Sequence, residues 1–96
     1  MLKTDANDSF LTYALALEYE KEGNQKESIN IIEELIQKDP DYLGAYYKLG
    51  QLFEGMNKFP KAIQIYTTGI KLADEKNDSK TKGELEEALW LIEEEQ

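Results

Sequence analysis

A chain of 96 residues has room for one modest core, and with 41% hydrophobic and 32% charged side chains it is composed as a folded domain, not as a disordered tail. Eleven Lys or Arg against twenty Asp or Glu give a net charge of -9, a field that repels phosphate backbones and anionic lipid, so nucleic acid and membrane surfaces are expected to be no partners. The absence of Cys and His removes disulfides, the usual zinc sites, thiol nucleophiles and the commonest general base.

Met1 to Phe10 carries Asp5, Asn7 and Asp8 where a signal peptide needs an unbroken apolar stretch, and no later run approaches a membrane span. The expectation is a cytoplasmic protein. From Ser9 to Lys21, helical spacing of 100 degrees per residue gathers Thr12, Leu15, Ala16 and Tyr19 on one stripe, which predicts a first helix with that stripe inward. Gly23-Asn24 breaks it, as Gly and Asn do at helix C-termini. A second helix follows and is ended by Asp39-Pro40-Asp41. The third is interrupted by Gly55-Met56-Asn57, and Pro60 suits the first turn of the fourth, where its missing N–H is no loss. Ala16 and Gly50 are small where a partner helix must cross closely. The last segment, Asn77 to Gln96, predicts a fifth helix with Leu85, Ala88, Leu89 and Ile92 on one stripe and Gly83 as its weak point.

These segments repeat. Sliding the chain on itself by 34 residues sets Tyr13 on Tyr47, Leu15 on Leu49, Ala16 on Gly50 and Tyr19 on Phe53; further on, Ser28 falls on Ala62, Ile32 on Tyr66 and Ile36 on Ile70. Matches confined to apolar and small positions, while charges drift, are the mark of a repeated packing unit. The pattern resembles the tetratricopeptide repeat, a pair of antiparallel helices with W-x2-L-G-x2-Y, A-x3-F and P signatures. Tyr46, Leu49, Gly50, Phe53, Ala62 and Tyr66 carry the likeness in the second copy; Thr12, Leu15, Ala16, Tyr19, Ser28, Ile32 and Pro40 carry it in the first. Asp74 stands where the second copy's Pro would fall.

The resemblance implies an all-α fold, a right-handed superhelical stack of antiparallel hairpins. One domain, 1–96, would hold repeat one (about 9–42), repeat two (about 43–76) and a capping helix (about 78–95). The fifth helix fits the first-helix pattern only after a slip of two residues, so Lys82 stands where Thr12 and Tyr46 stood. Its glutamates supply the polar outer face that a repeat array needs at its end.

The first helix of each repeat carries more apolar surface than its stripe requires. Phe10, Tyr13 and Leu17 lie roughly 110 to 170 degrees from the stripe, with Glu20 beside them, and Tyr47, Gln51 and Glu54 take the corresponding places in the second copy. In the implied stack, first helices line the concave side, so this second face forms a groove for an extended peptide or a helix. The rival reading packs Tyr13 and Tyr47 between neighbouring hairpins. Trp90 lies roughly 150 degrees from the fifth helix's stripe and either lines the groove, mediates self-association or rests on the surface.

The expected partner is a protein or peptide with apolar anchors and basic flanks, to match the acidic edge at Glu20 and Glu54. The alternative is a homodimer through the C-terminal helix and uncovered apolar faces. One groove type of the family grips the carboxylate tail of chaperones with Lys, Asn and Arg; here Tyr13 and Leu17 stand where the first Lys and Asn would be, so that clamp is missing. Asp74 to Leu85 imitates a calcium loop, but Lys76, Ser79 and Leu85 occupy positions that need an oxygen ligand, a Gly and a bidentate Glu. No cofactor, metal site or catalytic residue is expected, and the chain is read as no enzyme.

Overall fold

The computed structural model describes residues 6–95, and apart from short turns they are helical: α1 (Ala6–Lys21), α2 (Gln25–Lys38), α3 (Leu43–Gly55), α4 (Phe59–Glu75) and α5 (Ser79–Glu95). Residues 1–5 and 96, the outer ends of the expected domain, lie outside the described residues.

Three of the four turns close in the same way. After α1, Gly23 takes a φ of 88° and the Asn24 N–H bonds back to the Tyr19 carbonyl at 2.8 Å. After α3 the left-handed residue is Asn57 (φ 60°), with the Lys58 N–H on the Phe53 carbonyl at 2.8 Å; after α4 it is Asn77 (φ 59°), with the Asp78 N–H on the Ala73 carbonyl at 2.9 Å. This is the six-to-one closure of a Schellman turn, and asparagine tolerates the left-handed backbone that it requires. Within the expected Gly55-Met56-Asn57 break, therefore, Asn57 is the residue that turns the chain. Asn24 also starts the next helix, its side chain accepting from the Glu27 N–H at 3.2 Å.

The turn after α2 differs. There Asp39 caps the helix and Pro40 stops it, and the Ser9 hydroxyl, itself buried, donates to Asp39 Oδ2 at 2.6 Å. With no proline at the corresponding place, α4 runs 17 residues against 14 in α2. That extra length is the physical cause of the two-residue slip with which α5 enters the stack.

Each helix packs on its neighbour in the chain, α1 on α2, α2 on α3, α3 on α4 and α4 on α5. The assembly is 17 Å thick in its shortest dimension, the thickness of two helices 8–10 Å apart. The first helices form one layer and the second helices the other. Between the layers runs one core, from Ala16 and Ile32 through Leu49, Leu52 and Tyr66 to Leu85 and Ile92.

The small crossing residues behave as expected. Gly50 lies under the buried Tyr66 ring, and a Cβ on it would run into the ring's Cε1, Cζ and Cδ1. In the first hairpin the equivalent positions hold Ala16 and Ile32, both fully buried, and the Ser28 hydroxyl donates to the Ala16 carbonyl at 2.7 Å. A larger residue on one helix is thus matched by a smaller one on the other, keeping the summed volume similar.

One member of the expected inward stripe is misplaced. Leu15 is 49% exposed, although its counterpart Leu49 is only 2% exposed. The same contrast separates Leu11, which is 62% exposed, from the fully buried Ala45. In α3 that side of the helix is covered by α2; among the described residues nothing precedes α1 to cover it. For Leu15 and Leu49 the side chain is the same, and its neighbourhood in the stack decides its burial.

Candidate functional site

The residues expected to line a groove stand on α1, α3 and α5, on the layer opposite α2 and α4. Glu20 of α1 reaches across to α3, where Lys48 Nζ meets its Oε1 at 3.0 Å, with both side chains largely withdrawn from solvent. The Tyr13 ring leans on that of Tyr42, their centroids 5.6 Å apart, and the Tyr47 ring on that of Tyr66 at 6.2 Å; both pairs are tilted, as aromatic pairs prefer. Both tyrosines are half-buried against the core while keeping one exposed side. Packing against the core and an exposed side therefore coexist in both rings.

Burial, with the charge of Glu20 adding to it, raises the Tyr13 hydroxyl above its ordinary value. The same is true of Tyr66, where burial acts first and the hydrogen bond to Glu54 second. That bond is short: the Tyr66 hydroxyl donates to Glu54 Oε2 at 2.6 Å. It holds the carboxylate of α3 against α4.

Between α3 and α5 opens a cleft of about 460 Å³, lined by Tyr47, Gln51, Glu54 and Tyr66 on one side and Glu84, Glu87, Ala88 and Leu91 on the other. Helix α5 thus forms the far wall of this cleft and does not lie over it. Leu17 and Glu20 line a separate depression at the α1 end, together with Ala14, Glu18 and Lys21. Phe10, 59% exposed, shares the helix face of Ala14 and Leu17 by its spacing. Trp90 is 57% exposed, but it is Leu91, one residue on, that lines the cleft.

The structure therefore brings Tyr47, Gln51 and Glu54 together in one cleft, Leu17 and Glu20 in another, and leaves Phe10, Tyr13 and Trp90 outside both linings. Sequence reasoning missed the α5 contribution of Glu84, Glu87 and Ala88. The signal was present, because extending the repeat with the two-residue slip sets Lys48 on Glu84 and Gln51 on Glu87.

A second opening, of about 510 Å³, lies on the other layer between α2 and α4, with Leu49 and Phe53 at its base and Glu33, Gln37, Lys61 and Gln64 around it. Lys61 Nζ sits 5.7 Å from the centre of the Phe53 ring. The segment from Asp74 to Leu85, which only imitates a calcium loop, comprises the end of α4, a short turn and the start of α5; in it Asp74 pairs with Lys82 at 2.9 Å and Asp78 accepts from the Thr81 N–H and hydroxyl. Among the described residues no group of acidic side chains could hold a metal ion, and no helix is long and apolar enough to cross a membrane.

Antiparallel hairpins stacked into two layers of helices, with an open wall of first helices, define an α-helical repeat module. The tetratricopeptide repeat family model matches residues 12–42 and 43–76, and the chain belongs to that family. Two solved structures of a tetratricopeptide repeat domain protein from Salinibacter ruber are similar to it. The crystal structure is 41% identical, over 90% of this chain and 96% of that one, with a TM-score of 0.83; the solution NMR structure is 40% identical, over 91% and 88%, with a TM-score of 0.84. A search of curated protein sequences finds no significant match. Repeats of this family generally mediate protein–protein interaction and serve as scaffolds without chemistry of their own.

Proposed function

We propose that this protein is a cytoplasmic, non-enzymatic scaffold that binds a protein or peptide along the wall formed by α1, α3 and α5. The observation that carries the reading is the cleft between α3 and α5, where the free sides of Tyr47 and Leu91 offer apolar surface beside exposed Gln51 and the carboxylates of Glu54, Glu84 and Glu87. Tyrosine contributes large contact area with few rotatable bonds. Charge favours a partner with apolar anchors and basic flanks. Phe10, Tyr13, Leu17 and Glu20 extend the wall at the α1 end, and Trp90 stands at its α5 edge.

The test is selection of peptides from a random phage library on the immobilised protein, followed by an NMR titration of the best sequence. Perturbed amides at Leu17, Tyr47, Gln51 and Leu91 are expected, with affinity falling at least tenfold in Gln51→Arg at unchanged Tm. Gln51 is a cleaner probe than Tyr13→Ala or Tyr47→Ala, since both tyrosines also pack on the core. Perturbations confined to α2 and α4 would reject the reading.

A second reading, self-association, draws on the large apolar side chains left exposed at the two ends of the stack: Leu11 and Leu15 at one, Trp90 and Leu91 at the other. Light scattering across a concentration series separates it from the first. A dimer lost in Trp90→Ala supports it, and a monomer at every concentration eliminates it.

A further inference from the structure

The contact between α1 and α3 shows what this stack does with a carboxylate on its groove side. Glu20 receives Lys48 at 3.0 Å, and the ion pair bridges adjacent first helices. One repeat further on, Glu54 takes the place of Glu20, and the residue that α5 brings to the place of Lys48 is Glu84, because the slip that superposes the buried pair Leu49 and Leu85 also superposes Lys48 and Glu84. The cleft between α3 and α5 is therefore the same junction with its cation replaced by a carboxylate: Glu54, Glu84 and Glu87 line it, and its described lining contains no Lys or Arg.

Apolar surface accompanies the charge. Tyr47 and Tyr66 stand on one side of the cleft, Ala88 and Leu91 on the other, and the Tyr66 hydroxyl fixes one oxygen of Glu54 at 2.6 Å, which leaves the carboxylate oriented before any ligand arrives. A long aliphatic stem ending in a cation matches that lining: the stem lies along Tyr47 and Leu91 and the head among the carboxylates.

We infer that this cleft receives a Lys or Arg side chain of the bound partner, whose ammonium or guanidinium head stands between α3 and α5 as the Lys48 head stands between α1 and α3. The inference rests on the groove reading above and adds to it the position and chemistry of one anchor.

Two measurements test it. The first needs no ligand: Glu84→Lys restores the internal cation, so Tm rises by about 2–5 °C, and the gain disappears when Glu54→Gln is added. A Tm that falls in Glu84→Lys, or a gain indifferent to Glu54→Gln, overturns the equivalence. The second is an NMR titration with three capped heptapeptides, Gly-Leu-Ser-Xaa-Ser-Leu-Gly, in which Xaa is lysine, norleucine or glutamate. The lysine peptide should shift the amides of Glu54, Glu84 and Glu87, bind at least tenfold more tightly than the norleucine peptide, and lose that advantage in Glu84→Lys; the glutamate peptide should not bind. Equal binding of the lysine and norleucine peptides in the cleft overturns the cation anchor while the groove reading stands. Shifts absent from the wall of α1, α3 and α5 with every peptide overturn both.

Discussion

Among the glycines, Gly50 has the least room for a side chain, because the Tyr66 ring lies over it. Alanine favours a helix over glycine by about 1 kcal/mol, so on propensity alone Gly50→Ala should stabilise α3. Because the new methyl would lie inside the van der Waals surface of the buried Tyr66 ring, overpacking outweighs propensity, and a net loss of about 1–3 kcal/mol is expected in a urea titration. An unchanged midpoint would show that the ring moves aside freely.

Tyr66 also ties stability to alkaline pH. Burial, the bond to Glu54 and nearby charge raise its hydroxyl above the ordinary value of 10.0, and burial raises Tyr13, Tyr42 and Tyr46 in the same direction. The folded state therefore holds protons that the unfolded chain releases near pH 10. Their contribution is fully present below that pH and is lost as pH climbs through the folded values. Tm should be flat from pH 8 to 9.5 and fall above 10, less steeply in Tyr66→Phe than in the parent. Thermal melts across that range, read by circular dichroism, check both slopes.

At the scale of the helix, the contrast between α1 and α3 makes a sharp prediction. Leu15 and Leu49 occupy equivalent positions, one open and one buried. Leu15→Lys should change stability by no more than about 0.5 kcal/mol, whereas Leu49→Lys should prevent folding, because it buries an unpaired charge beneath α2. Expression and circular dichroism of the two variants decide the matter. In α5, Gly83 is exposed and has no atom near its absent Cβ. Gly83→Ala should therefore stabilise the protein by about 0.5–1 kcal/mol by raising helix propensity alone.

Helices were the most legible level of the sequence, because each carries an apolar stripe at helical period and a turn signal of Gly, Asn or Pro. The repeat was legible too, since the same packing problem is solved twice with residues of the same size. Less legible was which residue of the Gly55-Met56-Asn57 break turns the chain after α3: it is Asn57 that adopts the left-handed backbone. Of the groove residues, Tyr47, Gln51 and Glu54 could be read together from the spacing on one helix. Their partners Glu84, Glu87 and Leu91 could not be read from α5 alone, because the length of α4 sets the register in which α5 arrives.

For the whole molecule, dimensions of 45 × 34 × 17 Å describe a slab with two broad faces. One face carries α2 and α4, the other the wall of α1, α3 and α5. The net charge of -9 gives the molecule a field that speeds encounter with cationic partners and is weakened by salt. Association with a lysine-containing groove peptide should accordingly slow several-fold between low salt and 0.5 M NaCl while dissociation changes less, as stopped-flow fluorescence of Trp90 or of a labelled peptide would record. A rate indifferent to salt would mean that the acidic edge takes no part in recognition.

By itself the sequence determined that this chain forms paired helices, where most of them begin and end, and which residues are small enough to let them cross, since those properties depend on side-chain size, period and local backbone preference. Tertiary structure alone decided that Leu15 is open and Leu49 closed, that Tyr13 and Tyr47 serve core and surface at once, and that α5 stands as the far wall of a cleft and does not cover it. Those outcomes depend on which helix lies beside which, and neighbours distant along the chain leave no mark on local pattern.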